Sequence, residues 1–161
     1  MQSRPKGDRA TPGITLEAVM RSLIFGMAVL LTAGLAADLA LIQPKDVAAQ
    51  LASKDRHAVI LQIGPNFLYR GKHIPGALYA GPASRPEGLD LLKKTVEKLP
   101  RDGEIIVYCG CCPWDHCPNV KPAMALLKEM GFTHVKAMYV ETSFAKDWTE
   151  QRYPVESAPQ Q

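Results

Sequence analysis

The segment Glu104-Ile105-Ile106-Val107-Tyr108 runs without a break into Cys109. Its β-branched and aromatic residues favour a strand, and its continuous apolar character fits a strand covered on both faces. Ala58-Val59-Ile60-Leu61-Gln62-Ile63 reads the same way and stops at Gly64-Pro65-Asn66. Between the two, Leu89, Leu92, Val96 and Leu99 recur at helical spacing. Doubly buried strands joined through a helical stretch leave little choice of architecture. The expected fold class is α/β, three layers deep, with a central, mainly parallel sheet and helices on both faces.

The rest of the chain extends that alternation. Leu39-Ala40-Leu41-Ile42 predicts a short strand. Pro44 suits the first turn of a helix carrying Val47, Ala48 and Leu51. His73-Ile74-Pro75-Gly76-Ala77-Leu78 predicts a turn into a short strand, and Gly81 to Gly88 a loop. Asn119 predicts an N-cap, with Pro122 tolerated in the first turn after it. Ala123, Leu126, Leu127 and Met130 form a buried stripe that Gly131 ends. His134 to Val140 predicts another strand, and Asp147-Trp148 a last short helix with Trp148 in the core. His73 is expected to be a structural turn residue. His57 and His134 are expected on the surface at strand starts.

Residues 1–37 read differently. A basic Met20-Arg21-Ser22, the apolar run Leu23 to Ala37 and the small-residue ending Gly34-Leu35-Ala36 make a secretory leader, with Met20 as an alternative start. The run is short of the roughly 20 apolar residues of a membrane span. An uncleaved N-terminal anchor is the alternative. The expected divisions are a leader at 1–37, a domain at 38–156 and a polar tail at 157–161. An exported location follows, periplasmic in a Gram-negative cell, with no membrane contact once the leader is cleaved. The 161 residues carry a formal charge of +3, and loss of residues 1–36 leaves +1. With no clustered basic face, nucleic acid is excluded as a partner.

All four cysteines fall within Cys109-Gly110-Cys111-Cys112-Pro113-Trp114-Asp115-His116-Cys117. A disulfide framework spreads its cysteines to close long loops, so this clustering marks a site. A cysteine at the carboxyl end of a central strand stands where open α/β sheets bind ligands. Loop amides and the N-terminus of the following helix favour negative charge there. The Cys109 thiol is therefore expected to open into a cup of amide donors and to ionise readily. The same donors suit a persulfide, or the oxyanion of an incoming sulfur donor.

Strand, cysteine, loop and helix, preceded by His73-Ile74-Pro75-Gly76-Ala77-Leu78 and followed by Trp148 and Tyr153-Pro154-Val155, resemble the rhodanese-like (sulfurtransferase) domain family. The resemblance spans about residues 42–156. It implies sulfane-sulfur transfer through a persulfide on Cys109, from a small donor such as thiosulfate or a persulfide to a thiol acceptor, with no cofactor. The chain departs from the family pattern in several places. The loop is about five residues longer than usual, judged from the helix periodicity. It has no arginine, which weighs against the related cysteine phosphatases. The family's frequent Asp and Arg after the second strand are replaced by Gln62 and Gly64. The glycine pair before the final helix is replaced by Glu141-Thr142-Ser143.

The additional cysteines admit three readings. Cys111, Cys112 or Cys117 can relay sulfur from Cys109 by thiol exchange. Cys112 and Cys117 can form a structural disulfide in an oxidising compartment. Cys109, Cys111, Cys112 and Cys117 with His116 can ligate zinc or copper without enzymatic activity, although C-x-C-C-x4-C is not a usual zinc spacing. An inactive rhodanese-like interaction module is a further alternative. Gly110 belongs to the loop itself. Trp114 reads as a loop anchor or, as an auxiliary group, a cover for the pocket, Asp115 and His116 as auxiliary groups or solvated residues, and Lys121 as a source of positive potential or a solvated helix residue.

Overall fold

The computed structural model describes residues 39–53 and 58–158. The leader and His57 lie outside the described residues. Five strands form one sheet: β1 (Leu41–Ile42), β2 (Val59–Gln62), β3 (Leu78–Tyr79), β4 (Glu104–Tyr108) and β5 (His134–Met138), in the order β1-β5-β4-β2-β3. Every pairing is parallel. The two runs with the most continuous apolar character, β2 and β4, pair at the centre, with Val59 beside Ile105 and Gln62 beside Tyr108.

Alternation along β4 divides the core. Ile105 and Val107 face α3 (Pro86–Val96) and α4 (Val120–Glu129), meeting Leu92, Val96, Ala123 and Leu127. Ile106 and Tyr108 face the other way, onto Val47 of α1 (Pro44–Ala52), Phe144 and Trp148. Sheet and flanking helices thus form the three α/β layers. Cys109 continues the alternation and shares its core with Val107 and Val120, on the side where α4 begins. Trp148 is fully buried in a π-helical segment, Ala145–Thr149, and donates its indole N–H to the Pro154 carbonyl at 2.8 Å.

Three local expectations change. Helix α3 starts at Pro86, inside the predicted loop, because Pro at the first helical position needs no N–H partner. A further helix, α2 (Asn66–Gly71), buries no residue and so left no apolar stripe to read. Asn119 stands at the N-cap position of α4, but with helical backbone angles and no side-chain cap bond. His73 is buried and structural: Nδ1 meets the Tyr69 carbonyl at 2.6 Å and Nε2 meets Glu156 Oε1 at 3.1 Å. His134 is exposed at the start of β5. Among the described residues, no helix is long and apolar enough to cross a membrane.

Candidate functional site

The loop after β4 gathers three of its sulfurs. Sγ of Cys109, Cys111 and Cys117 all lie within 4.8 Å of one another. Cys109 and Cys111 are 3.1 Å apart, and Cys111 and Cys112 are 3.0 Å apart. Cys109 and Cys117 are buried, at 3% and 4% exposure, while Cys111 is exposed. A row of thiols therefore leads from the core to solvent.

Asn119 organises the buried pair. Its Nδ2 donates to Cys109 Sγ at 3.2 Å and reaches Cys117 Sγ at 3.9 Å. Its Oδ1 accepts the Ser84 N–H at 2.8 Å, which fixes the orientation of the amide. The side chain that would have capped α4 is committed to the thiols. Sequence reasoning missed this role because Asn before a helix carries the same signal in either case.

Gly64 makes room for Cys109. A Cβ at this position would stand 2.7 Å from the Cys109 carbonyl oxygen and 2.8 Å from its Sγ. Gln62 Nε2 donates to that same carbonyl at 3.1 Å, and Gln62 Oε1 is buried with no hydrogen-bond partner. Gly64 looked like a strand breaker in the sequence, but it also permits close approach. Gly110 takes the left-handed conformation (φ +84°), and a Cβ on it would meet Cβ of Phe144 at 3.0 Å.

The electrostatics differ from expectation. The amide donors at the start of α4 serve Cys117, not Cys109. Cys117 accepts the Cys109 S–H and the backbone N–H groups of Asn119 and Val120, and its thiol is held down to about 5. Cys109 is pushed well above the usual thiol range, first by donating to Cys117 and then by burial. Burial and the neighbouring Cys111 push Cys112 up to about 12. The two buried thiols thus ionise as a unit, the first proton leaving more readily than from an ordinary thiol and the second far less readily.

The other loop residues stand apart from the sulfurs. His116 is 81% exposed and bonds Asp115 at 2.8 Å, which lowers the Asp115 carboxyl. It does not join the sulfur group. Lys121 is exposed in the first turn of α4. Trp114 anchors the loop: its backbone N–H donates to the Val140 carbonyl at 2.8 Å, and its ring tilts against Tyr139 at 6.2 Å. Tyr139 also lines an open cleft of about 230 Å³ with Gln43, Lys45, Glu141 and Asp147; none of the four sulfurs lines it.

Comparison with known proteins agrees on the family. The rhodanese-like domain model matches residues 43–148. Among solved structures, the chain is similar to the BH2092 protein of Bacillus halodurans, with a TM-score of 0.57 and 17% identity over 88% of this chain and 85% of that one. It is also similar to a thiosulfate sulfurtransferase of Pseudomonas aeruginosa, with a TM-score of 0.56 and 20% identity over 76% of this chain and 21% of the other. A single-domain sulfurtransferase of Saccharomyces cerevisiae, RDL2, aligns with a TM-score of 0.54 and 14% identity over 72% and 93% of the two chains. At these identities the likeness establishes the fold. No curated protein matches the sequence. With the family model covering most of the domain, and a five-stranded parallel sheet with a cysteine directly after β4, the chain belongs to the rhodanese-like domain family.

Proposed function

We propose that the protein is an exported sulfurtransferase or sulfur carrier that forms a persulfide on Cys109 and passes the sulfur to a thiol. One observation carries the reading: the strand-end thiol of Cys109 stands with Cys117 at the start of α4, their sulfurs within 4.8 Å of each other, and Asn119 Nδ2 donates to it at 3.2 Å. The solved sulfurtransferases among its structural relatives support the reaction class.

In this mechanism the buried Cys109–Cys117 pair shares one proton, which shifts toward Cys117 as a donor such as thiosulfate arrives, and exposed Cys111 rotates aside to admit the donor. The Cys109 thiolate attacks the sulfane sulfur. A new S–S bond forms, the bond to the sulfonate breaks, and sulfite leaves with the electron pair. Asn119 Nδ2, already directed at the Cys109 sulfur, is the donor nearest the persulfide anion. An acceptor thiolate attacks the outer sulfur, carries it away as its own persulfide, and restores Cys109. Thiosulfate-dependent sulfur transfer, measured in wild type and Cys109→Ser, tests the reading. The serine variant is expected to be inactive, and equal rates in the two would remove Cys109 from the mechanism.

A further inference from the structure

We propose that Cys109, Cys111 and Cys117 together form a three-thiolate binding site for one monovalent copper ion. The three sulfurs already converge, all within 4.8 Å of one another. An ion with metal–thiolate bonds of about 2.3 Å spaces three sulfurs about 4 Å apart. The Cys109–Cys111 pair, at 3.1 Å, has to widen by about 0.9 Å. Cys111 is exposed, so rotation of its side chain provides that movement and also the entry path.

The donor set selects the metal. Sulfur alone suits a soft ion, and thiolates favour Cu(I). Structural zinc takes four ligands, whereas three sulfurs converge on one centre here. Cys112 lies outside the convergent group, and His116 is turned to solvent and bonded to Asp115. Asn119 Nδ2, directed at Cys109 and Cys117, supplies the outer hydrogen bond that commonly orients ligands. On binding, the ion forms three S–Cu bonds, and each ligand thiol still protonated releases its proton to water. No electron is transferred. The ion occupies the Cys109 sulfur, so metal and sulfane sulfur exclude one another. The binding itself does not depend on the transfer reaction.

Anaerobic titration of the reduced full-length protein with Cu(I), in competition with a coloured Cu(I) chelator, tests this. Wild type is expected to take up one equivalent, and Cys112→Ser and His116→Ala are expected to keep wild-type affinity. Asn119→Ala should weaken binding roughly 10- to 100-fold, as loss of an outer partner does. Cys109→Ser, Cys111→Ser and Cys117→Ser should each lose more than that. Thermal melts of the metal-free variants identify any that fail to fold. Cys111, exposed and outside the core, then decides the matter: unchanged affinity in Cys111→Ser overturns the site. So does a loss in Cys112→Ser as large as in Cys111→Ser, or uptake of two ions per chain. Because the readout is chelator colour, a protein that binds copper but transfers no sulfur leaves this proposal standing and removes only the transferase reading.

Discussion

Replacing Gly64 with alanine adds a single methyl group where the site has no space for one. The new Cβ would lie 2.8 Å from Cys109 Sγ, 2.7 Å from the Cys109 carbonyl oxygen and 3.0 Å from Gln62 Nε2. Optimal carbon contacts begin near about 3.5 Å, so the sulfur has to retreat by roughly 0.7 Å. The carbonyl retreats less easily, being backbone at the end of β4 and held by Gln62. Overpacking of this kind costs about 1–3 kcal/mol. Urea unfolding should show that loss as a lower midpoint with unchanged slope. Sulfur transfer should fall further than stability does, because a misplacement near 1 Å can cost about 100-fold. Far-ultraviolet circular dichroism in water should stay that of wild type, which separates displacement from unfolding. Wild-type transfer together with wild-type stability in Gly64→Ala would refute the reasoning, since the reacting sulfur would then not be the one wedged against residue 64.

Other expectations follow from the same geometry. The ultraviolet absorbance of thiolate should persist at neutral pH and disappear as pH falls through about 5, the value to which Cys117 is lowered; in Cys117→Ser that step should vanish. A thiol depressed in the fold stabilises it above the unfolded thiol value of about 8.5, and that contribution is lost as pH falls through the folded value. Urea midpoints of wild type should therefore lose that contribution on acidification, and those of Cys117→Ser should not. Asn119→Ala leaves the Ser84 N–H without its acceptor and takes the side-chain amide away from both buried sulfurs, so it should cost about 1–3 kcal/mol in the same assay and raise the thiolate step. Trp148→Ala removes a fully buried ring that stacks on Phe144 at 6.0 Å and tilts against Tyr153 at 5.0 Å, and should cost about 3–5 kcal/mol in chemical denaturation.

The sheet was legible because β2 and β4 are central and apolar on both faces, a pattern few other segments produce. Cys109 at the end of β4 followed directly from that. Helix α2 was not legible: it contributes nothing to the core, and its fixed point is a tertiary one, the Tyr69 hydroxyl bonded to the Ala77 carbonyl at 3.0 Å. At the site, local sequence located the cysteines but could not rank them. Which thiol receives the amides of α4 depends on how the lengthened loop folds back, and it returns Cys117 to the helix start beside Cys109. The site roles of Gln62, Gly64 and Asn119 were hidden for a related reason. Each has an ordinary local role, and only contacts between distant segments reveal the second one.

The loop is long, yet it is tied down along its length. The Gly110 carbonyl accepts the Phe144 N–H at 3.1 Å, and the Trp114 N–H donates to Val140 at 2.8 Å. Both anchors belong to the chain just past β5, a strand that carries no cysteine. The spacing of the thiols is thus gauged by a neighbouring stretch of backbone. Changes at 140–144 should retune the chemistry from a distance, so variation in this short segment would let one sheet carry differently adjusted cysteine loops.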